Sequence, residues 1–334
     1  MKKSIVIVIL TTLLVGCSSR SPYFPKQMEE QVIELVRFDN DLMNVQAATA
    51  KEDIAILYEQ YPSFMPTYVE DILGISRYDT TYLAEALPAF LNDTIYGFKQ
   101  TNAYEKIIFA DVTGIEQELN NAFTRVHYLY PEWEIPTVYL FVSGFNASLL
   151  FVEDGIAVGA DMYLGSDYEY YNRVVYEYQK QTMRKECIAA DVVSAYLFRH
   201  IAYTSTKSRL LDNMIYRGKV LFILSQIFDY LPDYEVMGYS EAQWDWCEKH
   251  ERDIWNLMMD KRDLFKTETL VLTSYLNDGP FTAEISQESP GRLGTWVGWQ
   301  IVASYMRHHP EISLQQLAAE ADAEQLLQMS YYKP

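Results

Sequence analysis

Between Met28 and Met43 the apolar residues Met28, Val32, Leu35, Val36, Leu42 and Met43 recur at helical spacing, which predicts a first helix close to the N-terminus. Prolines punctuate Tyr61-Pro62-Ser63-Phe64-Met65-Pro66, after which helices are predicted around 66–74, 79–92 and 104–124. The texture changes at Ile135-Pro136. Thr137-Val138-Tyr139-Leu140-Phe141-Val142 is β-branched and aromatic, and apolar runs at 149–152 and 156–158 flank Glu153-Asp154-Gly155, so a strand followed by a β-hairpin is expected. From Tyr168 the helical period returns over about 168–184, 186–203, 207–229, 240–263 and 292–309, with a last helix from about 314. Two starts carry capping boxes, Ser240 with Gln243 and Ser313 with Gln316, in which each side chain can satisfy the other residue's free amide. No long Gly/Pro stretch marks a linker and no segment repeats at a fixed period. The pattern therefore predicts one α+β domain over 27–334, predominantly helical, with a small central sheet and its hairpin flanked by long helices.

The first residues change the picture. Lys2 and Lys3 precede an apolar run from Ile5 to Val15 that is too short to span a bilayer, so residues 1–16 read as a signal peptide that is removed. The run ends on Leu14-Val15-Gly16-Cys17, an order that resembles the lipobox of bacterial lipoproteins, which makes Cys17 the expected lipidation site and 17–26 a lipidated tether. At about 0.8 kcal/mol per buried methylene, several acyl tails hold a protein on a membrane far more firmly than one. Ser18, Ser19 and Arg20 include neither an Asp directly after the cysteine nor an acidic cluster, which points to the outer membrane with the body facing the periplasm.

Charge then narrows the partners. The formal net charge is −19 at pH 7, and loss of Lys2 and Lys3 makes the mature body more negative still. Such a body repels phosphate backbones, so nucleic acid is excluded as a partner, and a basic protein patch, a cation or a neutral ligand is compatible. Apolar residues make up 49% of the chain and aromatics 14%, ample for a core. Beyond Cys17 only Cys187 and Cys247 remain; an oxidising periplasm would permit them to pair, but each lies in an amphipathic helical pattern where a buried free thiol is the expectation.

Candidate chemistry is sparse. A zinc hydrolase needs two histidines one helical turn apart with a glutamate between them; His250-Glu251 begins that motif, but Ile254 stands where the second histidine should be. His308 and His309 are adjacent and face different sides, and His200 has no second imidazole one turn away. No metal and no cofactor are expected. No G-x-S-x-G elbow is present, and Val142-Ser143-Gly144-Phe145-Asn146 lacks its first glycine. Trp296 and Trp299, three apart, read as core rather than as a sugar-stacking platform. More particular are 159–165, 216–219, 277–281 and 289–300. In the last, a helix starting at Ser289 or Pro290 would carry Arg292 in its first turn, a poor place for a cation, so a carboxylate partner, Asp161 or Asp278, is expected. Gly294 and Gly298, four apart, would admit another backbone closely. Asp161, Asp191, Lys219, Asp278 and Arg292 are the candidate polar residues of a cleft or of a structural cluster.

These same segments carry a resemblance. The lipobox at Cys17, Arg37-Phe38-Asp39, Gly159-Ala160-Asp161-Met162-Tyr163-Leu164-Gly165-Ser166 and the run from Asn277 through Tyr305-Met306 resemble the GldB-like gliding-motility-associated lipoproteins of Bacteroidetes, over nearly all of the mature chain. The resemblance implies a lipoprotein of the outer membrane that, in gliding species, supports motility and the linked type IX secretion machinery. It also implies a distant likeness to zinc peptidases that keep a His-Glu-x-x-His motif, with the metal-binding helix near 186–203. There this chain reads Ala189-Ala190-Asp191-Val192-Val193-Ser194, and Arg217 stands where an acidic third ligand would. The resemblance and these departures together imply a degenerate zincin-like scaffold without catalysis that binds or supports another envelope component, with a protein as the expected partner. Two alternatives stay open: an envelope hydrolase acting on glycan or peptide through carboxylates, and a glycan-binding lipoprotein.

Overall fold

The computed structural model describes residues 21–334; the expected signal peptide and the expected lipidation site at Cys17 lie outside them. Four short strands, β1 (Leu35–Val36), β2 (Thr137–Phe141), β3 (Leu149–Val152) and β4 (Gly155–Gly159), form one sheet in the order β1-β2-β4-β3. β3 and β4 are the expected hairpin, antiparallel about Glu153-Asp154, while β1 and β4 run parallel to β2. Alternate strand residues point to opposite faces, and here both faces are apolar. Val138, Leu140, Ile156 and Val158 enter the larger core, and Tyr139, Phe141 and Ala157 enter a second one. The sheet is thus covered on both sides by helices, and the chain is a predominantly helical α+β protein.

β1 corrects the helix expected over 28–43. The segment runs extended, Leu35 and Val36 pair with Val138 and Tyr139, and only α1 (Phe38–Leu42) is helical. The backbone finds partners that a local stripe does not reveal: the amide of Gln31 donates to Thr124 Oγ1 at 2.8 Å and that of Ile33 to Asn120 Oδ1 at 2.7 Å. The crossover back to β2 then comprises α2 (Ala50–Gln60), α3 (Phe64–Thr67) with a π turn over Tyr68–Ile72, α4 (Thr80–Leu91), α5 (Phe98–Ile108) and α6 (Thr113–Leu129). The single helix expected at 104–124 is broken before Thr113 because the Phe109 carbonyl leaves the helix to accept Arg37 Nη1 at 2.8 Å.

On the other side follow α7 (Tyr171–Val174), α8 (Ile188–His200), α9 (Leu210–Ile227), α10 (Asp233–Met237), α11 (Glu241–Asp260), α12 (Thr269–Leu276), α13 (Leu293–His308), α14 (Leu314–Ala319) and α15 (Ala323–Ser330). The helix expected at 168–184 is reduced to α7 and a 3-10 segment, Glu177–Thr182. Tyr171 turns inward, its hydroxyl donating to Asp161 O and accepting from the Leu164 amide, both at 2.9 Å, while Tyr168 stacks on Tyr104 with centroids 5.0 Å apart. Both capping boxes are present, at α11 and α14. α9 and α13 are buried nearly all round, the mark of central helices. They meet backbone to backbone at Gly218 and Gly298.

The start of the described chain is docked. Ser21 is buried, its amide donating to Asp229 Oδ2 at 2.7 Å and its hydroxyl to Gln226 Oε1 at 2.9 Å, and the Tyr23 ring packs edge-on against Phe222. Residues 21–23 of the expected tether thus lie against the end of α9. Cys187 and Cys247 are free thiols.

Candidate functional site

Thr282 shapes the entrance to α13. Its buried hydroxyl donates to Pro290 O at 2.9 Å and accepts the Leu293 amide at 3.2 Å, while Tyr239 Oη donates to Gly291 O. Held on both sides, Arg292 takes the N-cap position in a left-handed conformation, φ 59°, rather than a place inside the first turn. Its guanidinium pairs with Asp278, Nε to Oδ1 at 2.9 Å, and donates to Met237 O at 2.5 Å. Of the two carboxylates expected as its partner, Asp278 fills the role.

Arg292 and Asp278 line a cavity of about 360 Å³ whose walls come from α8, α9, the segment before α11 and the start of α13. Asp191, one turn into α8, lines it too, and also a neighbouring cavity of about 300 Å³. Three of the five candidate residues therefore converge. Asp161 and Lys219 lie elsewhere. Asp161 is buried behind β2, accepting the amides of Ser143 and Phe145. Lys219 is buried against the C-terminal end of α14, donating to Ala318 O at 3.1 Å and Glu320 O at 2.5 Å, where a cation meets unpaired helix carbonyls. Burial pushes its amine down to about 8.

Arg217, two residues earlier on α9, faces the cavity instead; residues two apart on a helix do not share a face. Its Nη1 donates to Leu276 O at 2.7 Å, and burial, then the neighbouring Arg292 charge, lowers its pKa. Thr295, 4% exposed, also lines the cavity with a hydroxyl that has no hydrogen-bond partner. Glu235 lines another side and is held in an ion pair with Arg184 at 3.1 Å. An arginine beside Gly218 in a largely buried helix was the available signal for Arg217; the orphaned hydroxyl of Thr295 is purely spatial.

Tyr163 donates its hydroxyl to Asp191 Oδ2 at 2.9 Å. Burial nevertheless lifts the Asp191 carboxyl to about 6, against the pull of Tyr163 and Arg292. Its native pKa thus exceeds the unfolded value of 3.8, so the stability contributed by the neutral form is complete below 3.8 and lost as pH rises through about 6. Asp191→Asn stays neutral and still accepts from Tyr163. Thermal melts should coincide with the native protein near pH 4 and lie above it at pH 8; parallel curves across that range would mean that Asp191 titrates normally.

Among the described residues no group of three or more His, Cys, Asp or Glu side chains is arranged to hold a metal ion. His200, His250 and His308 each turn Nδ1 to the carbonyl four residues back on their own helix, at 2.7–2.8 Å. Trp296 and Trp299 are 1% and 3% exposed, which takes them out of any glycan platform. Among the described residues no helix is long and apolar enough to cross a membrane.

No curated protein and no solved structure matches the chain. A family model described as gliding motility protein GldB matches residues 24–334, and so the chain belongs to this lipoprotein family of the gliding-motility envelope.

Proposed function

We propose that the protein is a non-catalytic component of the outer membrane, a single domain held there by acylated Cys17 and facing the periplasm, whose cleft between α8, α9 and α13 binds another envelope component. The observation that carries this reading is the convergence of Asp191, Arg217, Asp278 and Arg292 on one cavity. Where a zinc peptidase would place its ligands, α8 offers Asp191 alone and α9 offers Arg217. A cavity of about 360 Å³ is within the size range of ligand sites, roughly 300–1,000 Å³.

One observation favours hydrolysis instead: a carboxyl raised to about 6 in a cleft suits a general acid. Its natural second carboxylate, Asp278, is occupied by Arg292.

A photo-crosslinking residue in place of Gln179, exposed at the cavity edge, should capture a discrete envelope component in living cells, whereas one in place of Val32, 80% exposed and outside the cavity lining, should not. Protein purified without chelator should carry no stoichiometric zinc. One zinc per chain, or equal capture at both positions, would overturn the reading.

A further inference from the structure

The cleft is electrostatically incomplete. Arg292 has its carboxylate in Asp278, and Arg184 has Glu235. Arg217 has a carbonyl from Leu276, and among the described residues no acidic side chain lies within ion-pair distance of it. A half-buried guanidinium whose neighbouring charges are a second guanidinium, Arg292, and a carboxylate, Asp278, already paired with that second guanidinium, is costly unless something anionic joins it. The second observation is independent: Thr295 Oγ1, buried and without a partner, lines the same cavity. Buried hydroxyls rarely go unpaired. A third contribution comes from α13, 16 residues long, whose first turn carries the positive end of its dipole beside the N-cap Arg292.

We infer that the cavity is a carboxylate subsite, which takes the C-terminal carboxylate of a peptide between the guanidiniums of Arg217 and Arg292, with the Thr295 hydroxyl as a further donor. The inference rests on reading the cleft as a binding site. A single negative charge fits better than a phosphate. Asp191 on α8 and Glu186 just before it line the same cavity and would repel a doubly charged group, while offering acceptors to peptide amides. The net charge of −19 likewise repels polyanions at long range. Planar forks of N–H donors match a carboxylate in geometry, and Met162, Met237 and Phe198 supply apolar surface for side chains next to the terminus.

The test is calorimetric titration of the full-length protein in detergent micelles with N-acetyl-trialanine as the free acid, as its C-terminal amide, and with inorganic phosphate at matched ionic strength. The acid should bind at least about tenfold more tightly than the amide, as expected for loss of charge-assisted hydrogen bonds. R217M should remove that preference, weakening the acid far more than the amide. R217K, which keeps the charge and loses the fork, serves if R217M does not fold, and should retain only part of the preference. T295V should weaken the acid several-fold. Equal binding of acid and amide overturns the carboxylate inference and leaves the cleft a binding site; tighter binding of phosphate, or no binding of the acid to folded protein, also overturns it. Failure of the broader reading shows separately, in the crosslinking pattern and zinc content.

Discussion

Gly298→Ala is expected to lower the stability of the protein by more than about 3 kcal/mol, read as the midpoint of urea unfolding, or to leave it insoluble. A Cβ at this position would lie 2.0 Å from Met214 O and 2.5 Å from the Met214 carbonyl carbon, and one at Gly218 would meet the carbonyl carbon of Gly298 at 2.4 Å. Neither obstacle is a side chain that can rotate away. To admit the methyl group, α9 and α13 must move apart, and they are the two central helices of the larger core. Ordinary overpacking costs about 1–3 kcal/mol because side chains and backbone share the strain; here backbone meets backbone, so the upper end is the floor. Gly218→Ala should do the same. Gly114→Ala is the control: it sits in the first turn of α6 with nothing within 4 Å of the added Cβ, and should stabilise by about 0.5–1 kcal/mol through helix propensity. A native midpoint for Gly298→Ala would mean that the two helices do not pack through these glycines.

The same helix pair shows what the sequence discloses and what it withholds. Elements at 188–200, 210–227, 241–260 and 293–308 are long, free of proline and, at Ser240, capped, so local signals agree with the tertiary outcome. The hairpin is legible for the same reason. β1 is not: two residues make a strand only because β2 lies beside them, and Asn120 and Thr124 bond the chain that leads in. Residues 168–184 have the aromatic spacing of a helix, yet Tyr171 spends its hydroxyl on Asp161 and Leu164. The site divides likewise. Choosing Lys219 over Arg217 required the rotation of α9 about its axis, and a helix buried nearly all round carries no amphipathic phase from which to read it. Asp278, Asp191 and Arg292 flank a common space because α8 and the start of α13 both border α9, an arrangement set by the glycine contact rather than by any motif.

Asp161→Ala should cost about 3 kcal/mol, and Asp161→Asn about half of that. Three residues beyond β2 the chain passes through two successive left-handed residues, Gly144 at φ 67° and Phe145 at φ 61°. The second is unfavourable for a bulky residue. What holds it is the buried Asp161 carboxyl, whose Oδ1 accepts the Ser143 amide at 2.8 Å and whose Oδ2 accepts the Phe145 amide at 2.7 Å, so that each oxygen serves one donor. Burial pushes this carboxyl above the usual range even though both amides pull it down, which measures how dry the place is. Alanine leaves the Ser143 and Phe145 amides without their acceptor, at about 1–3 kcal/mol for each buried orphan. Asparagine keeps one acceptor and turns an amide N–H₂ toward the other donor. Because the loop from this turn runs on to Ser148, which lines the cavity, the defect should reach the cleft as well as the core. Hydrogen exchange at the Phe145 amide, followed beside the urea midpoint, separates the causes. Fast exchange with a lowered midpoint is the expected pair. An unchanged midpoint would show that stacking of Phe145 between Phe98 and Tyr170 suffices to hold the turn, and that the carboxyl is dispensable.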